Sequence, residues 1–304
     1  MAEANHRKGA IFAWRYQLVS AFCLNAAKEA PSVVEGFLVR YDDGFGCVQP
    51  WAQFGQGSVD EAWQTLAAGG SSPLIDQALA CCRIDGAARR RGESLWHGLK
   101  IPQSHATLTH FSQTERAHSA GFRLWKVKCG PHDLPTLGKV MAEFPDVKFR
   151  IDCNETADPR IFEPWVRDHA QAIDLIEDPY PHQRQDDWFR LAKWVPLAMD
   201  RIWSENQPWI PVWKPAWNAL SKSIPTKQTI VTSAMDHPLG QAWAAYQAAL
   251  VDTEMICGLR TDHLFQTNVF SDVFSEWSSD WPEIAGFGLG WNEELELLPW
   301  IRLN

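Results

Sequence analysis

No stretch of the 304-residue chain approaches the ~18 consecutive apolar residues that a membrane helix requires. The opening "MAEANHRKGAIFAWRYQLVSAF" holds no apolar core long enough for a signal segment, because Arg15 interrupts it. C-x-x-C pairs are missing too. The seven cysteines (Cys23, Cys47, Cys81, Cys82, Cys129, Cys153 and Cys257) are scattered and odd in number, which points neither to a disulfide framework nor to a zinc site. These absences lead us to expect a soluble protein of a reducing, cytoplasmic compartment with no membrane partner.

Basic charge is scarce. A net charge of −9 leaves no cationic stripe for nucleic acid. The one basic run, Arg89-Arg90-Arg91, closes the helical pattern "PLIDQALACCRIDGAARRRGESLW" and meets Glu93 at once. A solvated helix face is the expectation there, with an anion site as the alternative. His105, His110, His118, His237 and His263 fall at no metal-ligand spacing; His237, beside Asp236, has either a turn role or a contact with substrate.

What is present suffices for a full core: 45% apolar residues, over a length of about two domains at ~150 residues each. Seventeen tryptophans are unusual. Without interleaved Lys and Arg they make no base-stacking platform, so packing and surface patches are their ordinary reading.

The texture of the chain changes near residue 100. Before it, "AIFAWRYQLV" and "SVVEGFLVRYDDGFGCVQPW" read as strands, with Asp42-Asp43-Gly44 as a hairpin turn, and helical stretches follow over 59–68 and 74–91. That is a small α+β unit. From about His105, eight short apolar runs alternate with polar helical segments: "ATLTHF", "FRLWKVKCG", "VKFRIDCN", "AIDLIEDP", "VPLAMD", "PVWKPAW", "TIVTSAMD" and "MICGLRTDHLFQ". Such alternation implies a parallel sheet, and eight strands suggest closure into a (β/α)8-type barrel. The segment "SQTERAHSAGF" suggests a stunted first helix.

In "LWKVKCG", Lys126 and Lys128 share one face of a strand, while Trp125, Val127 and Cys129 take the other and are expected to pack under helices. Lys128, Asp152, Glu177 and Asp200 follow at intervals of 24, 25 and 23 residues, one strand-helix unit each. Each falls at or near the end of its apolar run, where barrels build their sites. Three carboxylates at one rim repel unless a cation stands between them, and Mg²⁺ accepts such oxygen ligands while leaving room for water or substrate. The alternative is that acids at such positions cap helices. Near a dication and a second ammonium, Lys128 would lose proton affinity and become usable as a base, with Lys214 in "VWKPAW" facing it across the mouth. Two lysines flanking a carboxylate-bound metal suit the removal of a proton next to a carboxylate.

The ordered set Lys126-x-Lys128, Asp152-x-Asn154, Glu177-Asp178-Pro179, Asp200 and Lys214 resembles the muconate-lactonizing subgroup of the enolase superfamily. "GFLVRYDDGFGCVQPW" resembles that family's capping-domain hairpin. "TSAMDHPLGQAWAAYQAAL", "CGLRTDHLFQTNVF" and "GLGWNEELELLPW" are similar to the o-succinylbenzoate synthases within it. The resemblance implies an α/β fold: an N-terminal α+β capping domain over 1–100, rejoined by a C-terminal segment from about 285 to 304, plus a modified TIM barrel, (β/α)7β-like, over 101–284. It also implies Mg²⁺, with Mn²⁺ able to substitute, on Asp152, Glu177 and Asp200. Lys128 would be base and then acid, and Lys214 a cation stabilising the enediolate or the ring face. Lys126, Arg150, Asn154 and Ser233 would surround the substrate. The implied reaction is that of a lyase in menaquinone biosynthesis: syn-dehydration of a small-molecule carboxylate, 2-succinyl-6-hydroxy-2,4-cyclohexadiene-1-carboxylate, to o-succinylbenzoate. The number of subunits stays open, as does the disposition of the capping loops around Asn25 and Gln53.

Asp200 and Lys214 are only 14 residues apart, so the helix between them is shortened or replaced by "RIWSENQPWIP", and Glu205 is the alternative third ligand. Thr261 and Asp262 either line the pocket or cap a helix. An N-acylamino acid racemase, or a cycloisomerase, is the rival within the superfamily; a racemase would use Lys128 and Lys214 as equal bases. Dipeptide epimerases carry an acidic D-x-D on the eighth strand, where this chain reads "LRTDHL" with Arg260 in first place. A Schiff-base aldolase leaves three convergent acids unexplained, and a decayed binding scaffold would have lost at least one of the five charged positions.

Overall fold

The computed structural model describes residues 9–21, 32–130, 132–200, 207–221, 226–274 and 276–304. Three strands, β1 (Phe12–Val19), β2 (Val33–Tyr41) and β3 (Gly44–Val48), form an antiparallel meander. The β2–β3 hairpin closes in two residues, Asp42 and Asp43, both at positive φ (55° and 62°). This left-handed pair has the turn twist that suits a tight hairpin. Two helices cover the sheet, α1 (Val59–Ala67) behind a Ser58/Glu61 capping box and α2 (Pro73–Arg91) behind Ser72 with Pro73 in its first turn. The contact between α2 and β3 is at glycine distance. A Cβ on Gly44 would strike the Cys82 carbonyl, one on Gly46 the Ala78 carbonyl, and one on Gly86 the Asp42 carbonyl.

Seven parallel strands follow in sequence order: β4 (Ala106–Leu108), β5 (Leu124–Lys128), β6 (Lys148–Asp152), β7 (Ile173–Glu177), β8 (Leu197–Met199), β9 (Ile210–Trp213) and β10 (Ile230–Val231). The eighth apolar run forms bridges rather than a strand. Cys257 pairs with Ser104 and Gly258 with Thr232, both parallel, so this segment joins the two ends of the sheet. Helices α3 (Thr114–Ser119), α4 (Leu134–Glu143), α5 (Pro159–His169), α6 (Gln185–Leu191) and α7 (Pro238–Val251) lie between strands, α3 with only six residues. Among the described residues no α-helix separates β8 from β9. Glu205 and Asn25 lie outside the described residues, as does Cys23.

Both faces of the parallel strands are buried, which is why they read as near-continuous apolar runs. Trp125, Val127 and Cys129 pack outward against Leu137, Phe162 and Trp188 of the helices. Leu175, Ala198, Val212 and Ile230 fill the interior. The chain ends in α8 (Asn292–Glu296) and β11 (Ile301–Arg302), which pairs with β1 and sets Arg302 opposite Phe12. Among the described residues no helix is long and apolar enough to cross a membrane.

The basic run at the end of α2 departs from the solvated face expected of it. Arg90 holds the hairpin carbonyl of Asp42 (2.7 Å) and Arg91 pairs with Glu93, both near solvent, but Arg89 turns inward to Asp85 (2.6 Å) and the Gly290 carbonyl (2.7 Å). Asp85 is fully buried and also accepts from the backbone N–H groups of Phe45 (2.9 Å) and Leu289 (2.6 Å). One carboxylate thus ties together helix, hairpin and C-terminal segment. Removing one partner of such a buried pair strands the other charge, so Asp85→Ala is expected to cost about 3–5 kcal/mol, measured by urea unfolding followed through tryptophan fluorescence.

Candidate active site

Strand alternation sets the site. The inward residues Leu175, Ala198, Val212 and Ile230 form an apolar layer, and two positions further on the same face carries Glu177, Asp200, Lys214 and Thr232. Register places Lys128 beside Asp152 and Asp152 beside Glu177 on neighbouring strands. The polar set therefore stands at the C-terminal rim of the sheet.

Of the residues singled out from the sequence, Lys126, Lys128, Asp152, Asn154, Asp200, Lys214 and Ser233 line one cleft there. Glu177 is buried immediately beside it. Lys126 rises from one layer deeper, with its ammonium 3.1 Å from Asp152 and 2.7 Å from Glu177. Burial opposes the charge on Lys126, but Asp152, Glu177 and Asp200 outweigh it and hold its pKa above the usual lysine value. Lys214 is ion-paired with Asp200 and lies 4.8 Å from the centre of the Trp217 ring. Lys128 makes no ion pair or hydrogen bond with any described residue. Burial lowers its pKa; the Asp152 carboxylate opposes this, and the Lys126 and Lys214 ammoniums reinforce it. Lys126 and Lys128 are thus shifted in opposite directions.

Burial raises the pKa of Glu177 against the pull of Lys126, with Asp152 and Asp200 adding to the rise. Asp178 is raised well above the carboxylate range by burial, then by Asp200, Glu177 and Asp152. Its carboxylate accepts the N–H of Asp200 (3.1 Å) and so supports the end of β8. Among the described residues no three His, Cys, Asp or Glu groups are arranged around one metal position; Lys126 stands between Asp152 and Glu177, and Lys214 takes Asp200. The donor set fits a hard divalent cation in its chemistry, since it offers carboxylate oxygens at the ends of three adjacent strands. None of the three acids serves as a cap of α5 or α6: the cap of α5 is Asp158, and Arg184 precedes α6.

Arg150 departs from the substrate contact expected of it. It faces inward in register with Lys126, but its guanidinium binds Asp174 (2.7 Å), the Ile256 carbonyl (2.6 Å) and His105, and it does not line the cleft. Ser233 shares a hydrogen bond with Thr261 (2.9 Å), which lines the cleft too. Asp262 is taken by Arg260, and His237 accepts the Leu239 N–H at the start of α7 while packing between Tyr16 and Phe270. Asn154 adopts positive φ (47°) and its N–H reaches Asp152 (3.3 Å).

The sequence reading missed an aromatic wall. Trp51, Phe54 and Trp217 line the cleft, with Phe54 5.5 Å from Trp217 and 6.4 Å from Trp51 between ring centres. Part of the signal was local: Trp217 follows Lys214 by three residues, and its N–H bonds the Lys214 carbonyl in a single turn that sets the indole beside the ammonium. His105, Thr107, Thr232 and Gly258 complete the floor.

Comparison with known proteins agrees with this architecture. Residues 11–88 match the family model for the o-succinylbenzoate synthase N-terminal domain. The chain is 26% identical to an o-succinylbenzoate synthase of Bdellovibrio bacteriovorus over 95% of its own length and 97% of that protein's. A dipeptide epimerase of Enterococcus faecalis, solved with Mg and L-Leu-L-Tyr, superposes with a TM-score of 0.78 at 13% identity, over 92% of this chain and 98% of that one. An o-succinylbenzoate synthase of Thermosynechococcus elongatus, solved with Mg in its active site, gives 0.65 at 18% identity, over 85% and 95%. The fold is the one these structures share, an antiparallel N-terminal sheet domain beside a TIM-barrel-like domain. In sequence the chain is similar to o-succinylbenzoate synthases, over residues 11–88 by the family model and nearly end to end at 26% identity.

A half-buried ammonium with no ion pair among the described residues is a burden on the fold. Lys128→Met is expected to raise stability by about 1 kcal/mol at neutral pH, whereas Lys126→Met, which strands two carboxylates, is expected to lower it by about 3–5 kcal/mol. Urea unfolding of the two variants beside the unsubstituted protein checks the contrast.

Proposed function

We propose that this protein is an o-succinylbenzoate synthase, dehydrating 2-succinyl-6-hydroxy-2,4-cyclohexadiene-1-carboxylate to o-succinylbenzoate in menaquinone biosynthesis. The observation that carries the reading is Lys128: a half-buried amine of lowered pKa at the rim, without an ion pair among the described residues, with three carboxylates at the ends of the next three strands. The similarity to a synthase over nearly the full length, at 26% identity, supports this reaction over others of the superfamily. The division into a capping domain over 1–100, rejoined near 285, and a barrel over 101–284 belongs to the same proposal, as does a cytoplasmic location.

Asp152, Glu177 and Asp200 would hold Mg²⁺, or Mn²⁺ in its place. When bound, the cation offsets the negative charge that builds on the substrate carboxylate as the neighbouring proton leaves. Lys128 takes that proton: the C–H electron pair passes into the ring, and the ammonium so formed then protonates the departing hydroxyl on the same face, releasing water. The ring becomes aromatic, so the overall step is downhill without any redox partner. Lys214 offers positive charge to the ring face, with Trp217 holding the ammonium against an aromatic plane. Lys126 pairs with Asp152 and Glu177 from below. Asn154 and Ser233, with the Thr261 hydroxyl, offer polar contacts to the carboxylates and the succinyl chain. Arg150 acts at a distance, as part of the barrel floor.

The wild-type protein is expected to aromatise the cyclohexadiene with release of water, and to lose this activity in chelator and regain it with Mg²⁺. Lys128→Ala should lower kcat by about 10²–10⁴-fold; near-normal turnover in that variant would refute the role given to the lysine. A racemase of N-acylamino acids is the second reading, favoured by the placement of Lys128 and Lys214 in one cleft. N-Succinylamino acids assayed beside the cyclohexadiene decide between them. In a racemase, Lys214→Ala would abolish α-proton exchange from one enantiomer, while in a dehydratase exchange by Lys128 would persist.

A further inference from the structure

We propose that Gln49, which does not itself line the cleft, is a positioning residue that holds the cleft wall at residues 233–236 in its working shape. The inference rests on reading the cleft as an active site. Gln49 follows β3 and is 4% exposed, with both ends of its amide engaged. Its Oε1 accepts from the Tyr16 hydroxyl (2.9 Å) and its Nε2 donates to the Met235 carbonyl (2.9 Å). A carbonyl can only accept, so the Met235 contact fixes which way the amide faces.

What Gln49 grips is a strained point. Met235 has φ of 52°, a left-handed conformation that a residue with a side chain keeps only when its surroundings hold it there. The preceding carbonyl, that of Ala234, accepts from Trp51 Nε1 (2.9 Å), so two successive carbonyls of the wall are held by donors reaching over from the first sheet. Ser233, Ala234 and Met235 all line the cleft. On the barrel side the Ser233 N–H bonds the Gly258 carbonyl (2.9 Å), which leaves the first sheet to fix the other end of the segment.

The relay behind Gln49 is built into β1 and β2. Tyr16 pairs with Gly36 in the β1–β2 register, and a Cβ at position 36 would collide with the Tyr16 hydroxyl. Gly36 therefore opens the space through which that hydroxyl meets Gln49. A glutamine kept only to fill volume would need neither the hydroxyl nor the glycine.

Gln49→Leu keeps the size and removes both bonds; Tyr16→Phe removes only the anchoring hydroxyl. Hydrogen exchange of a peptide spanning 233–240 is compared with that of β5 to β7, together with steady-state kinetics on the cyclohexadiene. Losing one such hydrogen bond should speed exchange at 234–236 about tenfold in Gln49→Leu, leave β5 to β7 unchanged, and raise KM about tenfold with kcat within about threefold. Tyr16→Phe should shift in the same direction by less, and it decides the matter if Gln49→Leu does not fold. Unchanged exchange at 234–236 in the folded variants, or a fall in kcat with KM untouched, overturns the proposal. The exchange readout needs no substrate. Faster exchange in a protein that never turns over the cyclohexadiene would keep the positioning role and refute the dehydratase reading instead.

Discussion

A lysine ammonium held between two carboxylates inside a closed sheet is the interaction on which the rest of the site depends. In a medium of low polarity none of these charges would be stable alone. Lys126 settles the balance for Asp152 and Glu177 from one layer below the rim. Lys214 does the same for Asp200 from the neighbouring strand. With those cations committed, Lys128 is left beside the acids yet bonded to none of them, and burial draws its proton affinity down. The K-x-K pair thus divides its work by depth. The lower amine is a fixed counter-ion, and the upper one is free to exchange a proton.

Strand alternation made much of this legible in the sequence, because period two is a property of the backbone and survives any barrel geometry. It set Lys126 and Lys128 on one face and put Asp152, Glu177 and Asp200 at strand ends in neighbouring units. Alternation says which way a residue points, but not how deep it lies. Arg150 points inward like Asp152, yet it begins two residues lower, and its long side chain finds Asp174 and a backbone carbonyl before it can reach the rim. Depth depends on how the strands stagger, which no single strand records. Arg89 was misread for another reason: the helical i, i+4 partner Asp85 was in view, but its burial under residues 288–290, two hundred positions along, was not. The aromatic wall was hidden in the same way, since Trp51 and Trp217 meet only through Phe54 once the two sheets are together.

The two sheets contribute different things to the cleft. The barrel supplies charge at fixed heights, through strands whose register admits little freedom. The segment that follows β3 supplies shape: Trp51 and Phe54 furnish apolar surface, and Gln49 and Trp51 hold two carbonyls of the cleft wall after β10. For this the first sheet must itself be stiff, and its construction is of that kind. Glycines let α2 sit directly on β3, and Asp85 binds the hairpin, the helix and the returning C-terminal segment through one buried carboxylate. Rigidity built more than a hundred residues before the wall is therefore delivered to Met235 through a single side-chain amide. The ring carboxylate proposed as substrate would make both demands at once, charge at its reacting edge and a close apolar wall along its face, the first met by the parallel sheet and the second by the segment that follows β3.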